Sequence, residues 1–312
     1  MNIVKYRKIF YWISGILLAV ALGSVITWGL KLGIDFKGGT SIEVEYTSTS
    51  TRPDTSILST KLDTLTLDPS IKGLYTITPY GEKGYIVKMR NVTEVEKKVV
   101  IASLSEASST AELKNFNSIG PVLGQEAQKK SLTSIFFVVL CIVLFITFAF
   151  RKISEPVASW KYGLITVVAL LHDVILPTGV FAILGHFAGY EVDTLFVTAI
   201  LVILGFSVHD TIVVFDRVRE NLKINRANRN AKTFETVVGE SINQTIVRSI
   251  NTSLTTMLAV LAVYFLGPDT TRHFALALVI GIFFGTYSSI FIASNLLVTV
   301  QKFQDKHNLA KK

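Results

Sequence analysis

Three ionisable residues stand inside long apolar runs of this sequence, where they could carry protons or ions. Asp173 lies near the middle of one run, while Asp210 and Arg248 lie near the ends of two others. A histidine precedes each aspartate, His172 and His209 respectively. Placing a charge in a bilayer core costs at least about 2.5–3.5 kcal/mol, so such residues usually mark ion or proton routes. We take these five residues as the candidate proton pathway.

Asp210 and Arg248 are expected at similar depth on different helices, so they can form an ion pair across a helix interface. Arg248, Thr252 and Thr255 recur at three- and four-residue spacing, with Asn251 beside them. This pattern predicts a polar lining for a water-filled crevice. The alternative is a hydrogen-bonded seam that serves only assembly.

Asp173 is followed four residues later by Pro177, which has no N–H group and leaves the carbonyl of Asp173 without its helical donor. One interpretation is a hydrated step or hinge in a moving bundle. The other is a kinked helix whose aspartate caps a neighbouring helix. His172 and His209 could pass protons or only hydrogen bond to their neighbours.

The composition requires a lipid environment. Of the 312 residues, 50% are hydrophobic and 17% are charged, and the mean hydropathy is +0.48. Such a chain has more apolar surface than a soluble domain buries. Cys141 is the only cysteine, and HExxH, GxSxG and GxxxxGK[ST] motifs are absent. We therefore expect no enzyme activity, no metal, and no cofactor other than protons as the coupling ion.

Six apolar runs are long enough to cross a bilayer, and the sequence predicts a membrane all-α bundle of six transmembrane helices. The runs are Ile9–Leu30, Leu132–Phe150, Trp160–Leu184, Val192–Phe215, Thr245–Leu266 and Phe274–Val300. A cleaved signal peptide is the alternative for the first run, which stays apolar for nine residues beyond Ala21.

The net charge of +8 is distributed as a membrane topology would require, not as a nucleic-acid binder would. Residues 31–130 hold 13 Lys/Arg and 12 Asp/Glu. The segments 1–8, 151–161, 216–248 and 302–312 together hold 17 Lys/Arg and 6 Asp/Glu. Since basic loops stay in the cytoplasm, we expect both termini to be cytoplasmic and residues 31–130 to lie outside.

Residues 31–130 alternate between strand and helix patterns in the order βαββαβ, which predicts an extracytoplasmic α+β ferredoxin-like domain between the first two membrane helices. A capping box, Thr93 and Glu96, opens the second helix. The predicted elements are Ser41–Tyr46, Asp54–Leu67, Leu74–Thr78, Tyr85–Arg90, Thr93–Ala107 and Ala111–Asn117. The predicted organisation is a first membrane helix at 1–30, this domain at 31–130, a five-helix bundle at 131–300 and a cytoplasmic tail at 301–312.

Small residues indicate two further features. Gly281, Gly285 and Ser289 recur every four residues on the last run and predict a close-packing face for another helix. Gly38 and Gly39 join the first run to the first strand, where they permit a tight turn or a close backbone approach. A rigid link at these glycines is equally consistent with the sequence.

Several motifs together resemble one family, SecF, the partner of SecD in the accessory complex of the bacterial Sec protein-export machinery. The motifs are Gly33-Ile34-Asp35-Phe36-Lys37-Gly38-Gly39-Thr40, Ile119-Gly120-Pro121-Val122-Leu123-Gly124, His172-Asp173, Asp210-Thr211-Ile212-Val213-Val214-Phe215-Asp216-Arg217, the run Gln244 to Thr256, and Gly285-Thr286-Tyr287-Ser288-Ser289. The resemblance covers nearly the whole chain.

This resemblance implies a multi-pass subunit of the bacterial plasma membrane that uses the proton-motive force, with SecD, to help complete polypeptide export. Its implied partners are a SecD-like subunit, the Sec channel and unfolded secreted polypeptides, and the implied fold is similar to half of a resistance-nodulation-division exporter. Asp210 and Arg248 match the family's proton-pathway positions, and Asp35, Gly38 and Gly39 match its link motif. The family usually has Asn where this chain has His209.

Two other classes of function are consistent with the membrane architecture. A proton-coupled half-transporter of lipids or small molecules would belong to the same superfamily, but a large porter region or a duplicated bundle would be expected for it. A purely structural scaffold would not explain the intramembrane Asp and Arg residues, which small apolar residues could replace at lower energetic cost.

Overall fold

The structure is a computed structural model that describes residues 3–47, 52–67, 69–106, 111–150, 158–227 and 232–310, with backbone alone at 159 and 307–310. Parts of four predicted features therefore lie outside the described residues. They are the end of the second domain helix at 107, most of the basic loop at 151–157, the segment 228–231 and the last two residues of the tail.

The described residues contain six helices long and apolar enough to cross a membrane, as predicted. They are α1 (Arg7–Trp28, after a 3-10 turn at Ile3–Tyr6), α5 (Pro121–Ala149), α6 (Ser159–Ala188), α7 (Thr194–Ala227), α8 (Phe234–Leu266) and the sixth, α9 (Asp269–Ser288), which runs through a π-helical segment (Ser289–Ala293) into α10 (Ser294–Ala310). Several of these helices extend about three turns beyond the predicted apolar run, because a helix does not have to end where its residues become polar.

The chain forms two compact units. The membrane unit comprises Met1–Lys31, Thr133–Glu191 and Leu195–Lys312. The sheet unit comprises Leu32–Leu132 together with Val192–Thr194, a short segment that is far away in the sequence.

The sheet unit follows the predicted order of strands and helices, preceded by a single turn, α2 (Ile34–Lys37). Its elements are β1 (Gly39–Tyr46), α3 (Thr55–Asp63), β2 (Thr76–Tyr80), β3 (Gly84–Met89), α4 (Glu94–Glu106) and β4 (Ala111–Ile119). The strands form one antiparallel sheet in the order β2-β3-β1-β4. Several predicted boundaries differ from those observed. The first helix ends at Asp63, β1 begins two residues early and β4 ends two residues late. Strand β2 is shifted by two residues and runs through Pro79, which an edge strand tolerates.

The core of the sheet unit lies between the sheet and the two helices. Alternate residues of β1 and β3 point to this side, as the two-residue period of a strand requires. Both helices contribute apolar stripes spaced by about one turn. The fully buried side chains include Ile42, Val44, Tyr46, Val87, Leu58, Leu62, Val100 and Leu104. Burial raises the pKa of Tyr46 to about 12.

The predicted capping box opens α4. The backbone N–H of Thr93 donates to Glu96 Oε2 at 2.8 Å, and the N–H of Glu96 donates to Thr93 Oγ1 at 3.3 Å. Arg90 adds an ion pair with Glu96 at 2.6 Å. This hydrogen bond from Arg90, followed by the one from the Thr93 backbone, lowers the pKa of Glu96 to about 2.

We expect Glu96→Gln to remove an acid-sensitive part of the stability of the sheet unit. A carboxyl with a depressed native pKa stabilises fully above its ordinary value of 4.5 and loses that contribution as the pH falls towards about 2. At neutral pH the substitution should destabilise α4 by only about 0.5 kcal/mol, because glutamine retains the capping-box hydrogen bond and loses only the charge that pairs with Arg90. Hydrogen exchange of the α4 amides in the full chain, at matched pH values, measures both effects.

Glu94→Gln is the matched control, because Glu94 lies in the same helical turn with its side chain 79% exposed. The α4 amides of Glu94→Gln should exchange hydrogen at the same rates as those of the unmodified chain, both at pH 5 and at pH 3. These two pH values lie above and below the ordinary pKa of a glutamate. Equal pH dependence of all three proteins would contradict the role assigned to Glu96.

The helices of the membrane unit are buried to very different extents. Half of the most apolar stretch of α6 and of α7 is buried, against 6% of α5 and 11% of α8. One close crossing joins α1 to α6, where Gly179 stands against Ala21 and the Ser24 hydroxyl donates to the carbonyl of Gly179 at 3.0 Å. The faces of α5 and α8 that remain exposed are available to lipid or to a partner.

Candidate functional site

Asp173 is fully buried among polar side chains from three helices. Its Oδ1 lies 2.9 Å from Nδ1 of His172, the preceding residue on α6. Its Oδ2 accepts a hydrogen bond from Ser207 on α7 and another, at 2.7 Å, from Ser288 on α9. We call these four residues the Asp173 cluster. Among the described residues, Nε2 of the buried His172 has no hydrogen-bond partner.

Asp210 is also buried, with 2% of its surface exposed, and it too is surrounded by hydroxyls. Ser253 of α8 donates to its Oδ2 at 3.2 Å and Thr286 of α9 does so at 3.3 Å. These two hydroxyls are 2.6 Å apart. We call Asp210, Ser253 and Thr286 the Asp210 cluster.

Two helices connect the clusters. Helix α7 carries Ser207 and Asp210, which lie one turn apart, and α9 carries Thr286 and Ser288. Between the clusters the side chain of Ser289 lies 2.9 Å from the Thr211 hydroxyl and donates to the carbonyl of Ser207. A displacement of α7 against α9 would therefore change the hydrogen bonds of both carboxylates.

The small-residue face of the last span packs on α7. A side chain at Gly281 would overlap Ile203, and one at Gly285 would lie 3.2 Å from Cβ of Ser207 and 3.8 Å from Asp173 Oδ2. Ser289 begins the π-helical segment, a local change of helical winding that is common at functional sites. The glycines thus bring α7 and α9 close enough for their hydroxyls to reach the two aspartates.

The predicted ion pair between Asp210 and Arg248 is not formed in this structure. Among the described residues, the carboxylate bonds to the two hydroxyls named above, whereas Arg248 is exposed on α8. The guanidinium instead lines a cavity of about 440 Å³ between α7 and α8. The other lining residues are Ile212, Val213, Asp216, Arg217, Glu220, Gln244 and Thr245.

The predicted polar lining of α8 also points away from the carboxylates. Asn251 and Thr255 are exposed and Thr252 is partly exposed, and the two threonine hydroxyls bond to carbonyls of their own helix. The buried polar face of α8 is the neighbouring one, which carries Ser249 and Ser253. Sequence reasoning missed this face, although Ser241, Thr245, Ser249 and Ser253 recur every four residues.

The two histidines differ in environment. His172 is buried, bonds to Asp173 and lies with its ring centroid 6.1 Å from that of Tyr287. His209 is exposed although Asp210 beside it is buried, because successive residues of a helix point about 100° apart. Within the described part of the chain, no three His, Cys, Asp or Glu side chains are grouped as a metal site requires.

The link between α1 and β1 is closely packed from Leu32 onwards, the part of it that belongs to the sheet unit. Gly38 and Gly39 have φ angles of 76° and 142°, which disfavour other residues. A Cβ atom at Gly38 would lie 2.8 Å from Cα of Pro121, and one at Gly39 would lie 2.7 Å from the carbonyl oxygen of Met89. Asp35 accepts hydrogen bonds from Thr194, the first residue of α7.

Six apolar helices with polar clusters inside the bundle define a multi-pass membrane protein. Residues 99–303 match the family described as "Protein export membrane protein SecD/SecF, C-terminal", and residues 23–50 match the "SecD/SecF GG Motif". Two similar proteins are SecF translocase subunits: that of Thermobaculum terrenum is 40% identical over 96% of this chain and 93% of its own, and that of Anaerolinea thermophila is 36% identical with the same coverage.

Solved structures of SecDF have the same fold. The crystal structure of SecDF from Thermus thermophilus, described as a translocon-associated membrane protein, aligns with a TM-score of 0.80 at 31% identity over 97% of this chain. A second SecDF structure, in a super-membrane-facing form, aligns with a TM-score of 0.69 at 29% identity. The present chain spans only 39% of the length of the first SecDF chain. The chain belongs to the SecF family of protein translocase subunits.

Proposed function

We propose that this chain works with a SecD-like subunit as an auxiliary part of the Sec translocase and uses the proton-motive force to assist late steps of polypeptide export. The observation that carries the proton-coupled part is the pair of buried clusters in the membrane unit. Each holds one carboxylate surrounded by hydroxyls from neighbouring helices.

The neutral form of Asp210 suits the arrangement observed. Ser253 and Thr286 can hydrogen bond to a protonated carboxyl, and no cationic side chain of the described residues bonds to it. An ionised carboxylate at this depth would instead need a countercharge. Arg248, which is exposed on the neighbouring helix α8 and forms no ion pair with another described residue, is the candidate. Alternation between the two arrangements would couple proton binding to a movement of α7 against α8.

The energy available from one proton is sufficient for such a movement. A single charge crossing a potential of 100 mV makes about 2.3 kcal/mol available, which shifts a two-state equilibrium roughly fifty-fold. Asp173 is a second candidate step, because Ser207 and Ser288 connect it to the same two helices, α7 and α9. Nε2 of His172, which has no hydrogen-bond partner in the described part of the chain, offers this step a further proton-binding atom.

The exposed polar stripe of α8, which comprises Arg248, Asn251 and Thr255, favours binding of a SecD-like partner at this face. Arg248, Asn251 and Thr255 are too polar to face lipid at low cost, and they are exposed in the isolated chain. A partner that covers them would supply hydrogen bonds and exclude lipid. The chain also corresponds to only 39% of a SecDF chain, so the SecD portion of that protein is the natural occupant.

The membrane placement follows from charge. Basic residues concentrate in the terminal segments and in the segments 151–161 and 216–248, which favours cytoplasmic termini in a bacterial plasma membrane. The sheet unit then lies on the extracytoplasmic side. Its strand order β2-β3-β1-β4 is that of a ferredoxin-like domain. The proposed role of this domain is to contact unfolded secreted polypeptides as they emerge from the Sec channel.

The partner assignment predicts cross-linking from the stripe. A photoreactive amino acid at Asn251, in chains co-expressed with the SecD-like subunit, should give a covalent adduct with that subunit after illumination. The same amino acid at Ile26 of α1, whose side chain is 81% exposed, should react with lipid only. Denaturing gels probed for a tag on the partner measure both.

The variants with the photoreactive amino acid at Asn251 and at Ile26 must first reach the membrane in equal amounts. Equal yields of adduct from Asn251 and Ile26, or none from Asn251 when the two subunits co-purify, would contradict the assignment of this face of α8 to the partner.

A further inference from the structure

The last two residues of the loop between α6 and α7, together with the first residue of α7, belong to the sheet unit. The segment Val192–Thr194 lies beside the link that follows α1. Leu32 and Val192 form a parallel β-bridge, and the N–H of Gly33 donates to the carbonyl of Val192 at 2.8 Å. The start of α7 is therefore attached to the sheet unit by backbone hydrogen bonding.

Asp35 adds a side-chain cap to this attachment. Its Oδ2 accepts a hydrogen bond from the backbone N–H of Thr194 at 3.0 Å and another from the Thr194 hydroxyl at 2.5 Å. The first N–H groups of a helix have no partner within the helix, and a carboxylate there also interacts favourably with the helix dipole. This cap comes from a residue 159 positions away in the sequence.

The backbone around Asp35 leaves it little freedom. It lies in the single turn α2, between Gly33 and the glycine pair that begins β1. A Cβ atom at Gly124 of α5 would lie 2.8 Å from the nitrogen of Gly38 and 2.9 Å from the carbonyl oxygen of Phe36. The link, the start of α5 and the start of α7 thus meet at one closely packed junction of the sheet unit.

The capped helix is the one that carries Asp210. Sixteen residues separate Thr194 from Asp210 within the continuous helix α7, a distance of about 24 Å at 1.5 Å per residue. A continuous helix transmits displacement along its length, whereas a first turn that is held by fewer hydrogen bonds unwinds more readily. Firm attachment of the first turn therefore decides whether a movement near Asp210 reaches the sheet unit.

We propose that Asp35 is a positioning residue that fixes the first turn of α7 to the sheet unit, so that displacement of α7 during the proton step moves this unit. The inference rests on the proposed proton-coupled function. In this scheme the side chain of Asp35 holds the helix start, and the junction stays closed throughout the cycle.

The first test compares substitutions that keep or remove the cap. Asp35→Ala should lower uncoupler-sensitive export of a secreted reporter at least fivefold, with normal chain levels and normal association with the SecD-like subunit. Asp35→Asn should retain most of the activity, because an amide oxygen also caps a helix. Thr194→Val should give an intermediate loss, since it removes one of two hydrogen bonds, and Thr194→Ser should be active.

A disulfide at the adjacent β-bridge tests whether Asp35 acts by attaching the start of α7 to the sheet unit or only by supporting the local fold of the link. Bridge partners lie about 4.8 Å apart, within the range that a disulfide spans. In a Cys141→Ser background, which leaves no other cysteine, Leu32→Cys/Val192→Cys should be active both oxidised and reduced. Added to Asp35→Ala, the oxidised pair should restore export and the reduced pair should not. The reporter must itself lack cysteine.

Two outcomes of the disulfide test would overturn the proposal: oxidation that fails to rescue Asp35→Ala, or oxidation that inhibits the chain with Asp35 intact, which would mean that the junction must open. Asp210→Asn, assayed in parallel, separates this inference from the proposed function. If Asp210→Asn is inactive and Asp35→Ala is fully active, the attachment is wrong and the proton-coupled function stands. If Asp210→Asn is fully active, the proton-coupled function itself fails.

Discussion

Asp210→Asn should abolish proton-dependent export while leaving the bundle intact. The amide has the size of the carboxyl and can bond to Ser253 and Thr286, but it cannot release a proton. Without the roughly fifty-fold bias that one proton supplies, export of a secreted reporter should fall at least tenfold. The residual export should no longer respond to an uncoupler.

Asp216→Asn provides the matched control on the same helix. Asp216 undergoes the same chemical change, but its side chain is 66% exposed. This variant should export normally and stay sensitive to the uncoupler. His209→Asn should also be active, because the exposed imidazole is not among the hydrogen-bond partners of the Asp210 carboxylate.

Arg248→Ala should fail like Asp210→Asn if the guanidinium is the countercharge of the ionised state. The defect should appear with normal chain levels, since Arg248 is exposed and its removal leaves no cavity. If Asp210→Asn exports as well as the unmodified chain and responds equally to the uncoupler, Asp210 is structural. The proton route would then pass through Asp173.

Gly281→Leu should have the largest effect on assembly of the membrane unit. Even a Cβ atom at this position would overlap the side chain of Ile203, and the larger leucine would force α9 away from α7. Overpacking of this kind costs about 3 kcal/mol. It would also separate Thr286 and Ser288 from the two carboxylates. The amount of chain in the membrane and the melting temperature of the purified complex measure the effect.

Gly205→Leu is the control, because a Cβ built at Gly205 has no described atom within 4 Å beyond its own stretch of helix. It should accumulate normally and melt within about 2 °C of the unmodified protein, as an uncrowded exposed position allows. Ile203→Ala should partly rescue Gly281→Leu by removing the atoms that the leucine displaces. Equal tolerance of leucine at both glycines would contradict the packing described here.

Local patterns determined the secondary structure and the spans. The six apolar runs, the alternation of Ser41–Tyr46 and the Thr93/Glu96 capping box were each readable because their signals lie within a few residues. The same applies to the intramembrane aspartates, which are conspicuous because charged residues are rare in apolar runs. The structure places both in buried clusters.

Tertiary structure alone decided which groups surround these aspartates. A soluble amphipathic helix reveals its buried face, but lipid is as apolar as a protein core, so the rotation of a membrane helix is set by packing. The sequence therefore led to the polar stripe of Arg248 as the inner face of α8, whereas packing turned Ser249 and Ser253 inward. For the same reason the predicted ion pair with Asp210 is absent from the arrangement described here, and it stays a proposal for the ionised state.

The junction at Asp35 depends still more on the tertiary fold. Its motif and the start of α7 are 159 residues apart, and neither segment contains a sign of the other. Gly38 and Gly39 indicated a close approach without indicating what approaches; the structure supplied Pro121 and Met89. The sequence determined the elements and the buried charges, and long-range packing decided which of them meet, because contacts between distant segments leave no periodic signal in either one.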